Sequence, residues 1–371
     1  MRRPRSRRIL AASVLAALAI VATACGSASA HHVALSPVAT TDTAPGEATV
    51  FLHRYVDADG RVVRIDQGGD TVSEGQAYAL LLDVATDRRA QFATVWNWSK
   101  ANLMQPDGLL AYHWQAGRVV DRDPASDADL DIARALVLAG SRWHDRTFGS
   151  EGRTYAQAIL TNETMTLDGR LWLVAGPWAR TSPYYLDPSY FDPGSFALLG
   201  SATHDPSWSR LAASSAVAVA EDTAGGTRLP SDWATVSTSG QVQSAAPPTG
   251  GATVYGYDAF RTLVRQTDAC TSGPVRRLDA KLLPLAARTA SAADRADDYN
   301  PDGTPSETGD NPLMLVAAAG AAAAAGDDRA RDAYLDQAAG LEKSDGSYYF
   351  DAWVALGRYL LTTSILSGCN Q

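Results

Sequence analysis

Three acidic residues each stand where an apolar, helix-like run begins: Glu74 in "TVSEGQAYAL" (71–80), Asp127 in "ASDADLDIARAL" (125–136) and Asp258 in "VYGYDAFRTL" (254–263). A negative charge at such a position is favoured by the helix dipole. Ser73 with Gln76, and Ser126 with Asp129, have the spacing of a capping box. Asp258 and Arg261 have the i, i+3 spacing of a simple ion pair. Helix initiation alone therefore accounts for every one of these acids. The other use of such carboxyls is proton transfer. A carboxyl kept protonated by burial gives its proton to a leaving group, and one kept ionised activates a water. Nearby aromatics, Trp96, Trp98, Tyr112, Trp114, Trp178, Tyr184, Tyr185 and Tyr190, have flat faces suited to sugar rings, although such residues are more often core.

The elements that must hold these residues are mostly helical. Hydrophobic periodicity, broken by Gly, Pro, Asn and Asp, marks helices over 74–86, 90–103, 127–143, 153–165, 189–200, 207–221, 257–267, 274–290, 312–325, 328–343 and 348–366. Strand-like alternation is confined to about 50–65 and 109–120. The stretch 235–252 reads as a surface loop within one domain. Run 127–143 is apolar on two rows, Leu130/Ala133/Val137 and Ile132/Leu136/Ala139/Trp143, as an inner helix packed on both sides would be. About eleven helices with almost no sheet point to an all-α toroid or solenoid.

Composition bounds the partners. The chain has 371 residues, 46% of them hydrophobic, and a net charge of −9. Arg2, Arg3, Arg5, Arg7 and Arg8 precede the apolar run Ile9–Ala24, which reads as an export signal within residues 1–25. "SRRIL" resembles a twin-arginine signal, and "ATAC" resembles the lipobox before a lipidated cysteine, here Cys25. The alternative is a secreted protein cut near Ala30. Taking the five arginine charges from the total leaves −14, so nucleic acid and acidic polysaccharides are not expected partners. Residues 26–46 read as a flexible tether, rich in Ser, Thr, Ala and Pro, ahead of one large domain over 47–371. Cys270 and Cys369 form an even pair suited to a disulfide in an oxidising compartment, but two buried thiols would read the same. "DYNPDG" (298–303) begins like a calcium loop, yet its twelfth position is Gly309 instead of a glutamate. No metal and no cofactor are expected.

Five stretches in this order, "SEGQAYALLLDVA", "DGLLAYHW", "ASDADLDIARALVLAGSRW", "LDPSYF" and "YGYDAFR", resemble glycoside hydrolase family 8 over roughly residues 46–366. The resemblance implies an (α/α)6 barrel whose substrate cleft crosses the N-terminal ends of the inner helices. It implies inverting hydrolysis of a β-1,4-linked polysaccharide: cellulose, mixed-linkage glucan, xylan or chitosan. Glu74 matches the family's general acid, Asp258 its general base, and Asp127 the signature aspartate that holds the sugar at the cleavage point. Tyr257, Arg261, Trp114, Trp178 and Tyr190 become substrate-binding candidates. The chain departs from the family after "YDAFR", where Thr262-Leu263 replaces a Pro-Trp pair and an expected aromatic platform is missing. The leading expectation is an exported, monomeric endo-β-1,4-glucanase. A xylanase, a chitosanase and a silent glycan-binding lipoprotein stay open beside it.

Overall fold

The computed structural model describes residues 44–268, 273–309 and 311–367. The export signal, Cys25, nearly all of the tether, and both Cys270 and Cys369 lie outside the described residues.

Twelve α-helices are present among the described residues: α1 (Ala44–Tyr55), α2 (Ser73–Ala85), α3 (Arg89–Asn102), α4 (Ser126–Arg142), α5 (Arg146–Asn162), α6 (Pro193–Thr203), α7 (Ser207–Asp222), α8 (Phe260–Arg265), α9 (Gly273–Thr289), α10 (Leu313–Ala325), α11 (Asp328–Asp345) and α12 (Tyr348–Thr362). Burial alternates along the chain. Helices α2, α4, α8, α10 and α12 are covered on nearly every side. Helices α1, α3, α5 and α9 bury one face each. That alternation is the arrangement of an (α/α)6 barrel. The inner ring runs from α2 to α4 to α6, and from α8 through α10 and α12 back to α2.

Small residues let the ring close. Every residue of α10 from Leu313 to Ala323 is buried. A methyl group on Gly320 would stand 2.5 Å from the carbonyl oxygen of Leu263 in α8, so only glycine permits this approach. The barrel axis also carries charge. Arg265 binds both oxygens of Asp131 at 2.8 and 2.7 Å. Arg134 donates to Asp192 at 2.7 Å, to Asp268, and to the carbonyl of Leu366. These ties join α4, α6 and α8. Removing one partner would leave an uncompensated buried charge, at a cost of about 3–5 kcal/mol.

The structure corrects the sequence reading in three places. The stretch from residue 50 is not strand: α1 starts at Ala44, within the expected tether, and buries Ala44, Ala48, Phe51, Leu52 and Tyr55 at helical spacing. Thr49, Val50 and Phe51 are β-formers whose local preference is overridden by that face. The 235–252 stretch is not a plain loop, because a hairpin occupies much of it. Strands β7 (Trp233–Val236) and β8 (Val242–Ala245) pair antiparallel, and β7 also pairs with β6 (Tyr184–Leu186). Two further small sheets hold β1 (Thr71–Val72), β2 (His113–Gln115) and β3 (Arg118–Asp121), and β4 (Thr164–Leu167) with β5 (Arg170–Leu173). Finally, Thr262 and Leu263 are fully buried, so the residues replacing the Pro-Trp pair face the core and take no platform away from a cleft.

Candidate active site

Strand β1 runs directly into α2 and places Glu74 in its first turn. The expected capping boxes do not form. Val72, in extended conformation, precedes α2, and Ser73 is already its first residue. Gln76 turns away to the outer layer: its amide oxygen accepts the N–H of Val62 at 2.6 Å and its amide nitrogen donates to Ser99 Oγ at 2.8 Å. In α4 the hydroxyl of Ser126 donates to the carbonyl of Val174. Asp129 accepts the hydroxyl of Tyr155 instead of capping the helix. Polar groups at these helix starts therefore lock neighbouring elements together; Glu74 and Asp258 face a common space, while Asp127 is buried and does not line it.

That space is a cleft of about 490 Å³. Glu74, Asp258 and Arg261 line it, with Tyr78, Tyr112, Tyr257, Tyr348, Tyr349 and Phe350. Gly75 is required beside Glu74, because a methyl group there would stand 2.5 Å from the hydroxyl of Tyr348. A larger groove of about 780 Å³ lies against α6 and α7, lined by Phe196 and Trp208 and by none of the three acids.

Arg261 organises the acids. Its guanidinium donates to Asp127 at 2.6 Å and to Asp258 at 2.7 Å, with Asp187 4.0 Å away. Asp127 is buried, and its Oδ1 has no hydrogen-bond partner among the described residues. Burial, reinforced by the charge of Asp127, pushes the Glu74 carboxyl up to about 8, with Arg261 and Arg64 opposing. Asp258 is also raised by burial, but Arg261 pulls against the rise. About a third of the Asp258 side chain remains exposed at the cleft. Asp187 is held well above the usual carboxylate range by burial and by Asp258. The arrangement thus separates a carboxyl that keeps its proton near neutrality from one paired with a cation.

The aromatic candidates divide. Tyr257 is 38% exposed on the cleft wall, and its ring lies parallel to that of Phe350 at 6.3 Å. Trp114 does not line the cleft: the Arg61 guanidinium covers its ring at 4.4 Å and Trp98 meets it edge-on at 5.5 Å. Trp178 packs against Tyr185 and Trp233 and does not line the cleft. Tyr190 is buried under Arg261, 5.3 Å from its ring, and so supports the arginine instead of presenting a face to a ligand. Sequence reasoning missed Tyr348, Tyr349 and Phe350, although "GSYYF" is an aromatic run at a helix start. It also missed Arg64, Asp187 and Asp232.

The calcium-like stretch folds as a turn in which Asp302 accepts the N–H and hydroxyl of Thr304 at 2.9 and 2.6 Å. Among the described residues no group of three or more His, Cys, Asp or Glu is placed to hold a metal, and no helix is long and apolar enough to cross a membrane.

Residues 16–355 match the model of the family described as Glycosyl hydrolases family 8. An endoglucanase of Xanthomonas axonopodis pv. citri is 30% identical over 267 residues, covering 69% of this chain and 66% of its own. An endoglucanase of Cellulomonas uda is 28% identical over 202 residues, covering 53% and 56%. The chain thus spans less than two thirds of the length of these relatives. An endo-β-1,4-glucanase from Acetobacter xylinum shares the fold with a TM-score of 0.73 at 24% identity, over 86% of this chain and 98% of that one. A family match over most of the chain, with the barrel and the ordered stretches around Glu74, Asp127 and Asp258, shows that this protein belongs to glycosyl hydrolases family 8.

Proposed function

We propose that the protein is an exported, inverting endo-β-1,4-glucanase acting on cellulose or a related β-glucan. The observation that carries the chemistry is the pairing, in one cleft, of a carboxyl held near 8 with a second carboxyl bound to an arginine. Glu74, protonated at neutral pH, donates its proton to the glycosidic oxygen as that bond breaks. Asp258 takes a proton from a water, which attacks the anomeric carbon from the opposite face. Inversion of this kind needs the two carboxyls about 6.5–9.5 Å apart, so that the water fits between base and sugar. Asp127 does not itself line the cleft; through its bond to Arg261 it holds the cation that pairs with Asp258, and the sugar-holding role that the family resemblance implies for it falls to its Oδ1, which has no hydrogen-bond partner among the described residues. The endoglucanase names of the relatives support the substrate class. The arginine-led apolar segment at residues 2–24 supports export, with lipid attachment at Cys25 the reading that "ATAC" favours.

The test is reducing-end release from carboxymethylcellulose and barley β-glucan by the wild type and by Glu74→Gln. The expected result is hydrolysis by the wild type and a loss of about 10²–10⁴-fold in the variant. Proton NMR of the first products should show the anomer opposite to the substrate linkage. If the wild type cuts neither polymer, nor xylan nor chitosan, the glycan-binding reading replaces this one.

A further inference from the structure

The dipeptide Tyr257-Asp258 projects into the cleft from a turn just before α8, and α8 has only six residues. Ala259, the residue before the helix, offers no side-chain cap. The missing cap comes from far along the chain. Asp232 Oδ1 accepts the N–H of Gly256 at 2.9 Å and the N–H of Ala259 at 2.8 Å. Gly256 and Ala259 are the residues on either side of Tyr257-Asp258. We propose that Asp232 is a positioning residue, fixing the carboxyl of Asp258 in the cleft by tying down both ends of that dipeptide. The inference rests on the role of Asp258 as general base.

Other contacts make Asp232 a fixed point. Its own N–H donates to the carbonyl of Val254 at 2.9 Å, so the bend leading into β7 and the approach to the turn are joined. Ser231 is held by Asp222 at the end of α7, through its N–H at 2.8 Å and its hydroxyl at 2.7 Å. Ser244 of β8 donates to the same carboxyl at 2.6 Å. On the other side, Tyr255 and Tyr299 exchange backbone hydrogen bonds of 2.8 and 3.0 Å. The turn also has no spare room. A methyl group on Gly256 would stand 2.2 Å from Asp298 Oδ1 and 2.9 Å from Asp232 Oδ2.

Asp232 is not among the residues lining the cleft, so it acts through Asp258 and not on the sugar. Losing it should therefore lower turnover far more than it weakens binding through Tyr257. A shift of about 1 Å in a reacting group costs on the order of 10²-fold in rate. Asparagine keeps the oxygen that accepts both amides; alanine does not.

The experiment measures kcat and KM on barley β-glucan for the wild type, Asp232→Ala, Asp232→Asn and Asp258→Asn, with a melting curve for each. Asp232→Ala is expected to lose roughly 10–100-fold in kcat with KM within about 3-fold. Asp232→Asn should return to within about 5-fold of the wild type. Wild-type kcat in a folded Asp232→Ala overturns the proposal, and so does an Asp232→Asn as impaired as the alanine variant. Should the alanine variant fail to fold, Asp232→Ser, too short to reach both amides, takes its place and is held to the same outcomes. Full activity in Asp258→Asn would instead remove the base assignment, and an inactive wild type would remove the proposed function; the inference falls in either case.

Discussion

Glu74 carries a cost that a stability measurement can read without any substrate. Its carboxyl has an ordinary value of 4.5 and is held at about 8 in the folded protein. A raised value means that the folded state binds the proton more tightly than the unfolded chain does. The stabilising effect is therefore complete below 4.5 and is lost as pH rises through about 8. At pH 7 the unfolded chain would release this proton while the folded protein keeps it. That gap of 2.5 pH units, at 1.36 kcal/mol each, costs the fold roughly 3 kcal/mol. Glutamine is neutral at every pH and has nearly the same shape. Glu74→Gln should match the wild type in urea melting at pH 4.5 and exceed it by up to about 3 kcal/mol at pH 7. Activity should move the opposite way, present in the wild type and lost in the variant. A stability difference that does not change between pH 4.5 and 7 would refute the reasoning. A variant that weakens as pH rises would show an ionised Glu74, and the assignment of the acid would fail with it.

Arg261 lowers the value of Asp258, so Arg261→Met should raise it further and move the acidic limb of the kcat/KM profile to higher pH, as a pH–rate series on barley β-glucan would register. Arg265→Met leaves Asp131 buried without its bidentate partner and should destabilise the fold by about 3–5 kcal/mol in urea melting, with no comparable change in KM. Tyr257→Ala should raise KM several-fold with little change in melting temperature, because the ring is exposed on the cleft wall. Trp114→Ala should do the reverse, since Arg61 and Trp98 cover its ring.

Much of this protein was legible in its residues one window at a time. The apolar periodicity of 74–86, 127–143 and 312–325 shows helices where α2, α4 and α10 stand, because a helix that must bury several faces cannot hide that from its sequence. The ordered stretches around Glu74, Asp127 and Asp258 carried the family and the candidate acids. Local windows failed where a distant partner decided the outcome. Ser73 and Gln76 have capping spacing, yet Gln76 is claimed by Val62 and Ser99, and the hydroxyl of Ser126 by Val174. Trp114 looks like a sugar platform until Arg61 is found on its face. The aromatic wall of the cleft comes from Tyr348–Phe350, some 270 residues after Glu74, and the anchor of the Asp258 turn comes from Asp232 across a hairpin. Residue order alone determined most of the helices, though not α1, together with the family and the acids that could react. Only the tertiary structure decided which of those acids share a cleft and which keeps its proton, because burial and the distance between charges depend on chain segments that local sequence does not bring together.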